Sequence, residues 1–269
     1  ELYTVQRYLQ PSVLKAAGVQ HFDAWAATFG ETVSGVELSP EGNGYRMKTR
    51  FSRFFNLPEL MTMFRQSADI QTAEMLQLPV PHMEMHIEKI KASPIQEEMI
   101  QELSERAEEV RGGRVDPHAD NLLKITNDGR KLALDQRLMN PVLAEAETDK
   151  VKCCVANVYD IWKKTENEKL TQLIFCDMST PKTDQFNVYD AIREKLMEQG
   201  IPKEQIAYIH TADNDKKKKT LFEQMREGSI RILLGSTAKM GAGTNVQNRL
   251  YAIHDLDCPW RPADLEQRM

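Results

Sequence analysis

The chain has 269 residues, 41% hydrophobic and 28% charged, which is ordinary for a soluble globular protein with one large or two smaller domains. Its net charge of −5 does not favour nucleic-acid binding, although binding depends on local patches rather than on the total. No apolar run approaches the roughly 20 residues that span a bilayer, and no signal peptide opens the chain, so we expect no membrane partner. The four cysteines show neither a disulfide framework nor a zinc spacing, which favours a reducing cytoplasm and no metal site.

The first 51 residues predict helices followed by a β-hairpin. Residues 1–30 place apolar side chains at helical spacing. Residues 33–51 instead alternate in polarity on both sides of the turn-forming segment 40–44, and this pattern predicts two paired strands. We therefore expect a mainly helical N-terminal region that carries one hairpin.

The chain then returns mostly to helical spacing. Helices are expected over residues 57–76 and, after Pro94, over residues 95–111. Residues 83–90 alternate apolar and polar side chains, which predicts a short strand. The segment 112–122 opens with two glycines and is the best candidate for a domain boundary.

From about residue 123, short apolar strands alternate with helices. The predicted strands are 173–176, 206–209, 230–234 and 250–253. The predicted helices are 150–165, 187–199 and 215–227. This alternation is typical of parallel βαβ units, so we expect an α/β fold over residues 123–269, with a parallel sheet flanked by helices.

The loop after the third of these strands is the most informative feature of the chain. Residues 235–247 are rich in glycine, serine and threonine, and they connect strand 230–234 to strand 250–253. The carboxyl end of a parallel strand is where α/β proteins bring backbone amides against phosphate. The loop is therefore a candidate phosphate-binding site, although a lone glycine-x-glycine is also found in ordinary turns.

The second half of the chain resembles the C-terminal RecA-like lobe of superfamily-two helicases, and SWI/SNF-type translocases in particular. The residues that match the motifs of this lobe are 173–180, Ser236, Thr237, Gly241, Gly243, Asn245, 260–262, Gln267 and Arg268. The matched motifs follow one another in the family's order, with the apolar strands between them. The resemblance implies a RecA-like sheet.

The resemblance extends upstream. Segments 1–25, 57–81 and 128–138 are similar to the end of the first lobe, the helical protrusion and the start of the second lobe. On this basis we expect residues 1–122 to hold the end of the first lobe and the protrusion with its hairpin, and residues 123–269 to hold the C-terminal lobe, truncated within its last motif. The chain is then a fragment, most similar to large phage- and plasmid-borne proteins that fuse a methyltransferase to such a motor.

The same resemblance implies that a nucleotide binds between this lobe and the N-terminal RecA-like lobe of the same parent chain. It assigns ATP contacts to Gly241, Gly243, Asn245, Gln267 and Arg268. ATP and Mg²⁺ are expected as cofactors of the full-length protein, and neither is expected to be bound to this fragment.

The resemblance further implies sequence-independent contacts with the DNA backbone. The expected DNA-binding residues are Ser179, Thr180, Ser236, Thr237, Lys239 and Arg261. Ser179 and Thr180 could equally cap a helix or form a turn, and Lys239 could simply be solvated. Trp260 is expected to pack rather than to bind DNA.

Two further patterns favour ordinary explanations. The four lysines at 216–219 are expected to form a solvated helix face, with DNA contact as the alternative. The segment 82–86 has two histidines and a glutamate, but its spacing differs from that of zinc helices, and a solvent-facing strand edge is preferred.

Sequence motifs that ATP hydrolysis requires are missing from these 269 residues. The chain has no G-x-x-x-x-G-K-[ST] loop and no acidic Walker B box, and the arginine fingers of the family lie beyond Arg268. An arginine finger alone is worth roughly 10³–10⁵ in rate. We therefore expect no complete catalytic set and no ATP turnover by this fragment alone.

The sequence thus predicts the second motor lobe of an ATP-dependent DNA helicase or translocase. Two alternatives stay open at this stage: a motor segment of a restriction or anti-restriction DNA-modification protein, and a non-catalytic α/β module that binds nucleic acid. The sequence also leaves open whether the polymer is DNA or RNA, and what the hairpin at 33–51 binds.

Overall fold

The structure is a computed structural model, and the residues that it describes are 2–38, 45–71, 73–76, 81–116, 118–182, 185–241 and 244–268. The chain divides into two compact units, residues 1–86 and residues 87–269. No helix in the described ranges is long and apolar enough to cross a membrane.

The first unit is mainly helical and carries a two-stranded antiparallel hairpin. Its helices are α1 (Leu2–Leu9), α2 (Pro11–Ala16), α3 (Phe22–Phe29), α4 (Leu57–Phe64) and α5 (Ala73–Leu76). Its strands are β1 (Gly30–Leu38) and β2 (Tyr45–Phe54), which pair in register apart from a bulge next to Glu31 and Thr32. The expected hairpin is confirmed, while its turn at 40–44 lies outside the described residues.

The core of the first unit is built around Trp25, which is only 2% exposed. The Trp25 ring contacts Tyr3 and Phe29 in α1 and α3, and Phe51 in β2. Its indole Nε1 donates a 2.9 Å hydrogen bond to Gln6 Oε1, so the buried polar atom of this large ring is satisfied. The base of the hairpin is thereby anchored to the helices.

The second unit is an α/β layer structure. Its helices are α6 (Pro94–Arg111), α7 (Leu122–Leu134), α8 (Lys150–Lys164), α9 (Val188–Glu198), α10 (Asp215–Glu227), α11 (Thr237–Met240) and α12 (Pro262–Glu266). Its strands are β3 (Thr171–Phe175), β4 (Ile206–Tyr208), β5 (Ile232–Gly235) and β6 (Leu250–Asp255). Within the described residues these strands form a four-stranded, all-parallel sheet in the order β4-β5-β3-β6.

Both faces of this sheet are covered, because successive residues of a strand point to opposite sides. Ile174 of β3 and Leu234 of β5 belong to the core formed with α8 and α9. Leu173 and Leu233, one residue earlier on each strand, belong to the core formed with α10. Burial on both faces explains why these strands are continuous apolar runs. The predicted RecA-like α/β class is confirmed.

The predicted boundary at residue 122 falls at the first residue of α7, which packs on α6 of the same unit. Leu103 and Ala107 of α6 form one cluster with Ile125 and Leu132 of α7. Helix α6 begins, as the sequence predicts, at Pro94, and it has a capping box formed by the residue before it, Ser93. The boundary itself stays a prediction.

The prediction of a strand over residues 83–90 is wrong. These residues have no regular secondary structure, and the side chains of Met83, Met85 and Ile87 are exposed. Alternating polarity gives a strand only where a neighbouring edge supplies hydrogen bonds, and no described strand pairs with this segment.

Candidate functional site

The candidate site lies at the carboxyl edge of the parallel sheet. Because the four described strands of this sheet run the same way, the residues that follow each strand meet at one edge. Asp177 follows β3, Ser236 and Thr237 follow β5, and Asp257 follows β6. Since β3 lies between β5 and β6, its polar turn is adjacent to both of the other two loops.

Asp177 holds the beginning of the loop after β5. Its Oδ1 accepts a 2.6 Å hydrogen bond from the backbone nitrogen of Thr237, and its Oδ2 accepts a 2.7 Å bond from Thr237 Oγ1. The negative carboxylate therefore lies at the first turn of α11, where the helix dipole favours an anion. Thr237 is fixed by both its backbone and its side chain.

Arg268 joins the ends of three strands. Its side chain is completely buried and donates to Thr237 Oγ1 from Nε and Nη2, at 2.9 and 2.6 Å. Its Nη2 also donates to Asp177 Oδ2 at 2.9 Å, and its Nη1 donates to Asp255 Oδ1 at 2.6 Å. The guanidinium lies 4.9 Å from the centre of the Phe175 ring. Its donors are directed at the protein, not at solvent.

Asp257 completes this cluster from the other side. Its Oδ2 accepts hydrogen bonds of 2.6 and 2.7 Å from the backbone nitrogens of Asp177 and Met178, and so shapes the turn after β3. Its Oδ1 is buried without a hydrogen bond among the described residues and lies 3.6 Å from Arg268 Nη2. We call Asp177, Thr237, Asp255, Asp257 and Arg268 the rim cluster.

Burial and charge act against each other in the rim cluster. Burial alone would lower the pKa of Arg268, but the hydrogen bond and charge of Asp255, with the charges of Asp177 and Asp257, outweigh burial and raise it. Burial raises the pKa of Asp257, because desolvation disfavours its charged form, and the backbone hydrogen bonds and Arg268 only partly oppose that effect. The cluster is thus held by charge around a buried guanidinium, with Asp257 largely shielded and Asp177 and Asp255 partly reached by solvent.

The predicted DNA contacts Ser179, Thr180 and Ser236 lie on this edge, but two of them are buried. Ser179 Oγ accepts a 2.8 Å hydrogen bond from the backbone nitrogen of Val188, the first residue of α9, and Thr180 is half-buried. Ser236 is buried at the N-cap position of α11, although its side chain does not cap that helix. Helix support is thus the role that the geometry gives Ser179.

The other predicted DNA contacts, Lys239 and Arg261, are exposed. Lys239 is in α11, two residues after Thr237. Burial, together with the charge of Lys239, lowers the pKa of His210, which follows β4. Arg261 precedes α12. Trp260, next to it, is exposed rather than packed inside, and the Arg130 guanidinium lies 4.7 Å from the centre of its ring.

The predicted nucleotide contacts are spread over the loop and the last helix. Gly241 is buried with ordinary helical dihedrals, and a Cβ atom there would lie 2.6 Å from the carbonyl oxygen of Thr237. Gly243 lies outside the described residues. Asn245 and Gln267 are exposed. Gly241 is therefore required by a close approach inside the loop itself.

One observation bears on whether this loop fits a nucleotide. Thr244 Oγ1, between Gly243 and Asn245, is buried and has no hydrogen-bond partner within the described ranges. A buried, unpaired hydroxyl is costly unless a ligand satisfies it, so this part of the loop fits a polar ligand. Arg268 fits less well, because its donors are already used. No group of acidic, histidine or cysteine side chains in the described part of the chain could hold a metal ion by itself.

Sequence reasoning did not single out Asp177, Asp255 or Asp257. A signal was present, because Asp177 directly follows the predicted strand 173–176, and Asp255 and Asp257 come two and four residues after the predicted strand 250–253. What the sequence lacks is the strand order that places β3 between β5 and β6. Of the residues that were predicted, the structure brings Ser236, Thr237, Gly241 and Arg268 together.

Comparison with known families gives two matches. Residues 149–269 match a family described as "Helicase conserved C-terminal domain". Residues 1–72 match a family described as "Probable helicase domain". No curated protein matches the chain significantly. The two matches, together with the parallel sheet flanked by helices, support a helicase C-terminal lobe in the second half of this chain.

Proposed function

We propose that this chain supplies the second motor lobe of an ATP-dependent DNA translocase of the SWI/SNF type. The nucleotide lies between this lobe and a first RecA-like lobe of the same parent protein, and closure and opening of that cleft advance the contacts on DNA. The observation that carries the proposal is the rim cluster, which fixes the loop after β5 at the carboxyl edge of a helicase-type sheet. A methyltransferase fused to this motor belongs to the same proposal.

On the DNA side, exposed cations supply the contacts, and the rim cluster around the buried Arg268 positions them. Thr237 Oγ1 donates to Asp177 and accepts from Arg268, so it serves mainly to hold α11 in place. Lys239, exposed on that short helix, and Arg261, exposed before α12, then face the DNA backbone. Contacts of this kind fix register without reading sequence.

On the nucleotide side, the segment 241–245 and Gln267 bind the ATP. Gly241 closely approaches Thr237 of the rim cluster. The Thr244 hydroxyl, which has no partner among the described residues, and the exposed side chain of Asn245 are available as ligands. Bound ATP with Mg²⁺ supplies the phosphoryl group whose transfer to water drives the cycle. Arg268 positions Thr237 and Asp177, which lie next to this loop, and does not itself serve as a phosphate ligand.

The experiment that tests the DNA side compares variants of the purified chain. Fluorescence anisotropy with a labelled duplex measures affinity as a function of salt. We expect weak, salt-sensitive, sequence-independent binding that Lys239→Ala and Arg261→Ala each reduce. Lys203→Ala is the matched control, because Lys203 is also exposed but precedes β4 at the opposite edge of the sheet. Equal affinity of Lys239→Ala, Arg261→Ala and Lys203→Ala for the duplex would contradict the proposal.

The nucleotide side needs a second measurement. ATP turnover by the 269-residue chain alone is expected to be negligible, because no phosphate-binding loop of the Walker A type is in its sequence. Turnover by the full-length protein is expected to rise with duplex DNA. Robust turnover by the 269-residue chain, or the absence of DNA stimulation in the full-length protein, would count against the motor.

A further inference from the structure

Arg130 connects helix α7 to the loop that follows β6. Its Nη2 donates a 2.5 Å hydrogen bond to the carbonyl oxygen of Cys258, 128 positions later in the chain, and its guanidinium lies 4.7 Å from the centre of the Trp260 ring. Arg261, one of the proposed DNA contacts, directly follows Trp260. Arg130 thus contacts the residues that lead into a proposed DNA contact.

Helix α7 is a firm support for this side chain. Leu132 and Leu134 of the same helix are each 1% exposed. Leu132 packs with α6, and Leu134 belongs to the core formed with α8 and α9. Asp128, two residues before Arg130, accepts a 3.2 Å hydrogen bond from Arg106 of α6. Because its backbone is fixed in this way, Arg130 can hold the loop in place rather than follow its movements.

The loop begins in the core but leaves it after Asp257. Leu256 is buried, and Asp257 belongs to the rim cluster. Cys258 is exposed, and the exposed fraction of Trp260 is 60%. A cation over an exposed aromatic ring contributes only about 0.5–1 kcal/mol. Such a contact adds little to the stability of the fold, so its main effect is to select one arrangement of residues 258–261.

Arg130 is less suited than Arg261 to be the DNA contact itself. Its side chain is half-buried and already contacts a carbonyl and a ring, whereas Arg261 is exposed. A guanidinium has five N–H donors, however, so one hydrogen bond does not exhaust it. A direct contact between Arg130 and a phosphate is therefore the alternative that an experiment must separate.

We propose that Arg130 is a positioning residue for DNA binding, which holds the segment 258–260 so that Arg261 meets the phosphate backbone. The role of Arg261 rests on the proposed function, while the contacts of Arg130 do not. Arg130 lies outside both segments that match a helicase family, 1–72 and 149–269. Helix α7 would then contribute to the DNA edge of the lobe from the intervening part of the chain.

The test counts phosphate contacts through the salt dependence of duplex binding. Each contact contributes about 0.9 to the slope of log K against log salt. We expect Arg130→Ala and Arg261→Ala each to make the slope shallower by about 0.9, and the double variant to lose no more than about 0.9 in total. Arg130→Ala combined with Lys239→Ala should lose about 1.8, because Lys239 is an independent contact on α11.

Lys124→Ala is the matched control for these variants. Lys124 is a cation of the same helix, and its Nζ also donates to a backbone carbonyl, that of Ala119, at 2.9 Å. Its removal should leave the salt slope unchanged. The control therefore separates the contact with the loop from the general loss of a positive charge on α7.

The outcomes distinguish this inference from the proposed function. A loss of about 1.8 in Arg130→Ala/Arg261→Ala would show that Arg130 contacts a phosphate itself, and would overturn the positioning role. An unchanged slope in Arg130→Ala with a reduced slope in Arg261→Ala would also overturn it, and would leave the motor standing. Unchanged slopes in both Arg261→Ala and Lys239→Ala would overturn the proposed DNA contacts and this inference together.

Tryptophan fluorescence tests the contact without DNA. The emission of Trp260 is obtained in each background by subtracting the spectrum of the same chain with Trp260→Phe. Acrylamide should quench this emission more strongly in Arg130→Ala than in the unmodified chain, and Arg130→Lys should keep part of the protection. The emission of the buried Trp25, which remains after the subtraction, reports whether each variant is folded. Equal quenching of Trp260 in folded Arg130→Ala and in the unmodified chain would overturn the proposal.

Discussion

Arg268 and Thr237 are 31 residues apart in sequence, yet the guanidinium donates two hydrogen bonds to one hydroxyl, at 2.9 and 2.6 Å. The same guanidinium reaches Asp177 and Asp255, so a single buried cation ties the loop after β5 to the ends of β3 and β6. The geometry of the whole carboxyl edge therefore depends on one charge being present.

Removal of that charge should destabilise the second unit strongly. Arg268→Leu removes the buried counter-charge of Asp177, Asp255 and Asp257, whose side chains are 25, 31 and 6% exposed. Because solvent partly reaches two of these carboxylates, the loss should be below the roughly 3–5 kcal/mol that breaking a fully buried pair costs. Urea unfolding at pH 7 should show a lower free energy of unfolding for Arg268→Leu. The decrease should be smaller for Arg268→Lys, which keeps the charge. Burial already raises the pKa of Asp257, and loss of the cation that partly opposes burial raises it further, so the deficit of Arg268→Leu should shrink as the pH falls. A deficit that is the same at pH 5 and pH 7 would argue against this account.

The hydroxyl of Thr237 can be tested by two substitutions of similar size. Thr237→Val removes the group that donates to Asp177 and accepts from Arg268, and we expect a loss of about 1–3 kcal/mol in the free energy of unfolding. Thr237→Ser keeps the oxygen and should lose clearly less. The ranking is read from urea midpoints at constant m-value.

Thr244→Val provides the contrasting case in the neighbouring loop. Its Oγ1 is buried without a partner among the described residues, so replacement by a methyl group should be neutral or slightly stabilising. If the loop binds ATP as proposed, the same variant in the full-length protein should weaken nucleotide affinity. A Thr244→Val chain that is clearly less stable would show that the hydroxyl has a partner in the folded protein.

The strands of the parallel sheet could be predicted from the sequence because they are buried on both faces. The predicted strands 173–176 and 230–234 match β3 and β5 to within two residues, and the predicted helices 150–165 and 215–227 match α8 and α10. Continuous apolar runs between capped amphipathic helices leave little choice of structure. The strand predicted over 83–90 failed for the opposite reason, since its alternating pattern needs an adjacent edge that local sequence does not specify.

The location of the candidate site could be predicted from the sequence, but its side-chain contacts could not. The loop 235–247 stands out from its glycines and hydroxyls, and a parallel sheet puts it at the carboxyl edge. That Arg268 is turned inward depends on Asp177, Asp255 and Asp257 meeting there, which follows from the strand order β5-β3-β6. Chain order does not give that neighbour relation, so the sequence could not distinguish a buried arginine from an exposed phosphate ligand.

Gly241 should tolerate no side chain, although its backbone dihedrals are ordinary. A Cβ atom would lie 2.6 Å from the Thr237 carbonyl oxygen, closer than real Cβ contacts, so Gly241→Ala must displace the loop. We expect lower stability and, in the proposed motor, weaker ATP binding. Gly35→Ala is the control, because a Cβ there meets nothing within 4 Å. Equal thermal midpoints for the two variants would mean that the loop accommodates the methyl group freely.

His254 should make the second unit sensitive to acid in a defined window. Gln172 Nε2 donates to the carbonyl of Val158, so its Oε1 accepts from His254 Nε2, 2.9 Å away, and holds a neutral ring. Burial lowers the pKa of His254 to about 4, below its ordinary value of about 6.5. As the pH falls from about 6.5 towards 4, the unfolded chain binds a proton that the folded chain resists, so stability is lost in that range and is fully present above it.

A comparison of His254→Gln with the unmodified chain isolates this effect from other titrating groups. Glutamine keeps a donor for Gln172 and does not titrate, so the variant should lose about 1–3 kcal/mol less than the unmodified chain between pH 6.5 and 4. Urea unfolding at half-unit pH intervals measures the difference. The difference between the two stability curves should stay constant above about pH 6.5 and should shift in favour of the variant as the pH falls towards 4. If they stay parallel over the whole range, His254 titrates alike in the folded and unfolded chain and is not buried as a neutral ring.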